Sequence, residues 1–186
     1  MLFYLAPMEG ITGYIVRNAY AHYFPYIDKY FTLFIPAAKK MSKKIKRDLA
    51  AENNEQIRLV PQLIGSRADE FLMMIRQLEE LGFTSVNLNF GCPSGTVVSK
   101  RKGAGFLADP KELEMLLEEV LEKSPLAVSV KTRVGIKDPD EWEALCGVYV
   151  KFPLEELIIH PRLQNDYYSG TPRMETFARA LEQIHV

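Results

Sequence analysis

The chain has 186 residues, 47% of them hydrophobic and 25% charged, and 23 basic against 24 acidic side chains leave a formal net charge of −1. This composition excludes disorder as the main state, and near-neutrality excludes a global field aimed at nucleic acid or an anionic membrane, so any such partner must meet a local patch. Cys92 and Cys146 are too few for a disulfide scaffold and belong to no metal-ligand spacing; they point to a reducing compartment and to no metal. No basic start precedes the apolar N-terminal run and no stretch approaches the roughly 18 apolar residues of a membrane span, so the expectation is a cytoplasmic chain with no membrane partner.

In chain order, the first β-rich run is residues 3–6, and helical periodicity follows over Tyr14–Tyr23. Further runs at 30–35 and 57–64 lead to the clearest helical pattern. There Ser66 and Asp69 read as a capping box ahead of Phe71, Leu72, Ile75, Leu78 and Leu81, with Gly82 as the stop. The fourth run, 85–90, opens into a Gly-rich basic loop over 91–105 and then a helix begun by Asp109-Pro110. Runs at 126–130 and 156–159 follow, each leading to a helix with a capping residue and a first-turn proline, Asp138-Pro139 and Thr171-Pro172. Six strands spaced near 30 residues suit parallel βα units. An eight-unit barrel needs about 250 residues, so the arithmetic leaves two possibilities: an open doubly wound sheet, or a barrel with two units missing.

Polar groups at the strand ends favour the barrel, where such ends converge on one face. Strand one ends Met8-Glu9, strand three carries Gln62, strand four runs Asn87-Leu88-Asn89-Phe90-Gly91-Cys92, strand five ends Lys131-Thr132-Arg133, and strand six ends His160-Pro161-Arg162. Cys92, in a Gly-Cys-Pro turn, reads as a nucleophile or proton donor rather than a core thiol, and His160 makes a Cys-His hydrolase one rival chemistry. Alternation places Ser129, Lys131 and Arg133 on one face, where Lys131 demands either an electron-rich ligand or a carboxylate such as Glu9. Two basic clusters, six cations within 39–47 and Lys100-Arg101-Lys102, are expected to rim the same face and offer a path for a phosphate backbone.

Together these motifs resemble the tRNA-dihydrouridine synthases, over nearly the whole chain. The resemblance is carried by Ala6-Pro7-Met8-Glu9-Gly10-Ile11-Thr12, Pro61-Gln62-Leu63-Ile64-Gly65, Asn89-Phe90-Gly91-Cys92-Pro93 with Lys102-Gly103-Ala104-Gly105, Val130-Lys131-Thr132-Arg133-Val134-Gly135, and His160-Pro161-Arg162 before Tyr168 and Gly170. It implies an α/β fold of the (β/α)8 TIM-barrel type and reduction of a uridine base in tRNA to 5,6-dihydrouridine. It further implies FMN held by Pro7, Met8, Glu9, Gln62, Lys131 and His160, and NADPH as reductant. Cys92 would be the general acid, with Asn89, Arg133, Arg162 and Tyr168 facing the substrate. Asn87, Leu33 and Asp166 depart from residues usual in the family and bear on fine specificity. Because the chain stops where a seventh strand would begin, the expectation is a single FMN-binding barrel domain over 1–186, about six units long. It would lack the C-terminal helical tRNA-binding domain, bind flavin weakly, show little activity alone, and self-associate through unclosed edges. The alternatives are a flavin reductase of a free pyrimidine, like a dihydroorotate dehydrogenase, and a non-enzymatic RNA-binding fragment.

Overall fold

In the computed structural model, which describes residues 1–38 and 40–184, the β-rich runs form eight short strands. These are β1 (Tyr4–Leu5), β2 (Lys29–Phe31), β3 (Ile35–Pro36), β4 (Leu59–Val60), β5 (Gln62–Ile64), β6 (Ser85–Phe90), β7 (Ala127–Arg133) and β8 (Leu157–His160). The second and third of the six expected strands are each broken in two. Pro61 has no N–H to give a ladder and interrupts the third, while Thr32 to Phe34 leave the ladder in the second. Across the break Thr32 stays engaged, because its Oγ1 accepts the Gln62 N–H at 2.9 Å. The strand order is therefore β1-β2-β4 continued by β3-β5-β6-β7-β8, and every pairing is parallel.

This order decides between the two architectures left open by strand count. A doubly wound sheet reverses its strand order at a switch point. Here the order follows the chain without reversal, and the two ends of the sheet curl toward each other: the Tyr4 hydroxyl donates to Glu156, just ahead of β8, at 2.8 Å. The chain is thus a partial barrel of six consecutive parallel strand positions.

Seven helices accompany the strands among the described residues: α1 (Tyr14–Tyr23), α2 (Lys43–Leu49), α3 (Ala68–Glu80), α4 (Gly95–Val98), α5 (Pro110–Lys123), α6 (Glu141–Tyr149) and α7 (Met174–Gln183). Register separates the two faces of the sheet. Gln62 pairs with Asn87, Asn87 with Ser129, Asn89 with Lys131 and Arg133 with His160, so these polar residues share the concave face. The alternate residues, Leu63, Val86, Leu88, Phe90, Val128 and Val130, turn outward and join Phe71, Ile75, Leu78, Leu113, Leu117 and Val120 of α3 and α5 in the main core. Burial of these leucine-sized side chains contributes about 1.5–3 kcal/mol each.

Helix starts depart from the sequence reading in instructive ways. Asp109 caps α5 as expected, accepting the Glu112 N–H at 3.1 Å, with Pro110 in the first turn. By contrast α3 begins after Arg67 rather than Ser66. Asp69 pairs with Arg67 instead of closing a capping box, because Arg67 offers it a two-pronged guanidinium. After Asp138-Pro139, α6 starts only at Glu141, whose carboxylate collects the N–H groups of Ile136, Lys137 and Asp138. Similarly, α7 starts at Met174, after Arg173 rather than at Thr171-Pro172. The basic run also forms a helix the periodicity did not announce: Ser42 caps α2 by accepting the Ile45 N–H at 3.2 Å.

Candidate active site at the C-terminal strand ends

The carboxyl ends of the strands enclose a cavity of about 640 Å³. From β1 and its loop come Pro7, Met8 and Glu9; from β5, Gln62; from β6 and its loop, Asn89 and Cys92; from β7, Lys131 and Arg133; and from β8 and its loop, His160 and Tyr168. Residues scattered from Pro7 to Tyr168 thus meet around one space, and thiol and ammonium open into it together. Arg162 is the exception. It lies outside this lining, donating to the carbonyls of Ser169 and Gly170 and, at 2.9 Å, meeting His160 Nε2. Ile11, Phe34 and Tyr167 also line the cavity although the sequence reading did not single them out. An apolar or aromatic residue beside a strand carries no signal that separates a cavity wall from a core.

A ladder of buried amides forms the floor. Ser129 Oγ donates to the Val86 carbonyl, which obliges it to accept from Asn87 Nδ2 at 2.9 Å. Asn87 Oδ1 then accepts from Gln62 Nε2, and Gln62 Oε1 accepts from Asn89 Nδ2, both at 2.8 Å. Finally, Asn89 Oδ1 accepts the N–H groups of Gly91 and Cys92 at 3.0 and 2.9 Å. Every amide in the series has its orientation dictated by its neighbour. One consequence concerns Asn89. The carbonyl of Asn89 is engaged by the Cys92 turn and holds the thiol-bearing backbone, and its amide keeps one N–H beyond the bond to Gln62. Gly103 supports the same turn from the other side. Its φ is +54°, and a Cβ there would lie 2.8 Å from the Cys92 carbonyl oxygen, which already accepts the Ala104 N–H.

The electrostatics set protonation states. Burial pushes the Cys92 thiol above its ordinary pKa, with the nearby Glu9 carboxylate adding to the effect, so the sulfur carries its proton at neutral pH. Lys131 is depressed by burial and by the Arg133 guanidinium, and among the described residues it has no carboxylate partner; Glu9 lines the cavity without pairing to it. Arg133 is almost fully buried and fixed by the carbonyls of Gly91 and Leu163, both at 2.8 Å, with its guanidinium 5.4 Å from the Tyr168 ring centre. Burial together with Arg133, Lys131 and Arg162 lowers His160 to about 4, so the imidazole is neutral. A thiol held protonated and an imidazole that resists a proton do not make the ion pair of a Cys-His hydrolase, and Cys92 makes no hydrogen bond to His160 among the described residues.

The barrel-mouth cavity with its Gly-Cys-Pro turn agrees with comparison to known proteins: residues 4–185 match the model of the family described as dihydrouridine synthase (Dus). The chain belongs to the dihydrouridine synthase family. A probable tRNA-dihydrouridine synthase of Staphylococcus epidermidis is 29% identical over 168 residues, 88% of this chain and 51% of that protein. The probable tRNA-dihydrouridine synthase 2 of Bacillus subtilis is 30% identical over 164 residues, 86% of this chain and 50% of its own. A tRNA-dihydrouridine(20/20a) synthase of Vibrio parahaemolyticus is 36% identical over 121 residues, 63% of this chain and 37% of its own. The chain spans about half the length or less of these dihydrouridine synthase relatives. Among the described residues no helix is long and apolar enough to cross a membrane, and no group of three or more His, Cys, Asp or Glu is arranged to hold a metal ion.

Of the two basic clusters, Arg101 is tied to Glu112 and Asp109, whereas Lys44 and Arg47 line a neighbouring cavity that shares Ile11 and Phe34 with the main one. Lys39 lies outside the described residues.

Proposed function

We propose that this chain is the flavin-binding part of an enzyme that reduces a uridine base in tRNA to 5,6-dihydrouridine. The observation that carries the reading is the juxtaposition, in one cavity, of a thiol held protonated and an ammonium group without a counter-ion. The family membership and the names of the relatives supply the substrate class.

The donor set fits FMN. A desolvated, unpartnered Lys131 suits the electron-rich pyrimidine edge of an isoalloxazine ring, Gln62 adds an amide edge, and Pro7 and Met8 give the ring an apolar wall beside Glu9 and neutral His160. When bound, and once reduced by NADPH, the flavin supplies hydride to C6 of uracil. The chain's own part in the reaction is the proton. Negative charge develops at C5 and O4 of the base, the Cys92 S–H bond breaks, its proton goes to C5, and the thiolate recovers a proton from water. Arg133 and Lys131 keep the cavity positive where that charge grows, and Tyr168 stands at its exposed rim. A target base must leave its stack to enter the cavity, which accords with a single-stranded loop of a folded RNA as substrate.

The test uses the 186-residue chain titrated with FMN, reduced anaerobically and mixed with tRNA, with dihydrouridine read as a two-dalton mass gain of the nucleoside. With FMN in excess to offset weak binding, wild type should form the product at a low but measurable rate. Cys92→Ala should lose about 10²–10⁴ in rate while its flavin is still reduced by NADPH. Unchanged uridine reduction in the variant would overturn the acid role, and failure to bind FMN would overturn the cofactor assignment.

A further inference from the structure

Next to the main cavity is a second one, of about 580 Å³, between the β1–α1 loop and α2. Ile11 and Phe34 belong to the walls of both cavities, so anything filling the two together crosses this shared wall. The second cavity is lined mainly by apolar side chains, and Ile15, 69% exposed, stands at its opening rather than in the core.

Its charge is one-sided. Asp48 is the sole acid in the lining among the described residues, and it is already committed: Oδ1 accepts the Tyr14 N–H at 2.8 Å and Oδ2 pairs with the buried Arg17 at 3.1 Å. Lys44 and Arg47 also line the cavity, and neither has an ion-pair partner among the described residues. Lys40, Lys43 and Lys46 stand nearby in the chain, equally unpaired. An apolar slot edged by uncompensated cations matches a flat, weakly polar ring flanked by negative charge. A hydrophobic peptide would fill the slot and leave Lys44 and Arg47 unanswered.

We propose that this second cavity receives the base of the nucleotide adjoining the reacting uridine, with the flanking phosphates held by Lys44 and Arg47. The proposal rests on the tRNA reading of the main cavity and extends it to the neighbouring residue of the strand. Stacking on an apolar wall with cations along the backbone is the general means by which single strands are gripped without base-edge readout. The cavity therefore contributes affinity and register, positioning the strand so that only one base enters the main cavity.

The experiment measures binding of a short oligouridylate to the FMN-loaded chain by fluorescence anisotropy. Ile15→Asp, at an exposed position, and the surface pair Lys44→Gln/Arg47→Gln should each weaken binding about tenfold or more. The pair should also reduce the log–log salt slope by about 1.4, the value for two phosphates on a single strand. FMN titration and circular dichroism confirm that each variant is folded. Unchanged RNA affinity in both variants would overturn the proposal while leaving the main-cavity reading intact. A loss of NADPH affinity with RNA affinity preserved would also overturn it, assigning the cavity to the dinucleotide. A wild-type chain that binds no RNA would sink both readings.

Discussion

At the scale of single residues the site is built by withholding partners. Lys131 is kept from any carboxylate among the described residues and is depressed by burial and Arg133, an arrangement that lowers stability in the absence of a ligand. Lys131→Met is accordingly expected to raise the unfolding midpoint of the ligand-free chain by about 2–4 °C, the shift of roughly 1 kcal/mol in a chain this size, while lowering FMN affinity at least tenfold. A lower midpoint would show that Lys131 is a structural cation. His160 gives a second prediction. Its folded pKa of about 4 lies below the ordinary 6.5, so as pH falls through that interval the unfolded chain takes up a proton that the folded chain refuses. Stability contributed by the neutral imidazole is present above pH 6.5 and declines toward pH 4. His160→Gln should flatten this part of the denaturation profile, and an NMR titration of His160 with a midpoint above 6 would contradict the assignment. Legibility at this scale was uneven. Cys92, Lys131 and Gln62 stand in short motifs whose chemistry is local, and they line the cavity as expected. The partners of Arg162 and Asn89, His160 Nε2 with two carbonyls in one case and the Gly91–Cys92 backbone in the other, were not legible because they are consequences of tertiary geometry.

Elements translate those residues into position, chiefly through the Gly-rich loop after β6. The segment 103–108 packs as a short 3₁₀ turn directly behind Cys92, and the positive φ at Gly103 brings its backbone close to the Cys92 carbonyl. Gly103→Ala would meet both a left-handed backbone cost of about 1–2 kcal/mol and a collision with the thiol-bearing turn. The expected result is a lower unfolding midpoint together with a fall in kcat larger than any change in FMN affinity. A variant with wild-type turnover would show that the loop does not set the thiol's position. Alternation and length made the long strands β6 and β7 legible, whereas the breaks at Thr32–Phe34 and Pro61 were hidden within continuous apolar runs. Helix α2 was obscured for a related reason: its sequence is dominated by lysine and arginine and carries little apolar periodicity.

For the whole molecule, the monotonic strand order and the contact between its two flanks establish the barrel curvature that a strand count alone could not. Among the described residues β1 is paired only to β2 and β8 only to β7, and all four residues of β8 are partly exposed. Unpaired parallel edges template association, so sedimentation or size-exclusion measurements across a hundredfold range of concentration should show growth of dimers or larger species. A strictly monomeric profile at high concentration would mean that side chains beside these edges protect them.

The hydroxyl of Tyr4 and the ammonium of Lys29 both converge on Glu156, joining β1 and β2 to the segment just ahead of β8 across 152 and 127 positions. Contacts of such sequence separation cannot form until the segment carrying Glu156 is available, and they make closure of a long loop part of the folding barrier. During synthesis the first strand must therefore wait, with only its near neighbours for company, until Glu156 leaves the ribosome. Its docking then tethers the segment leading into β8 and His160, so the wall that His160 gives the cavity waits on the same long-range contact.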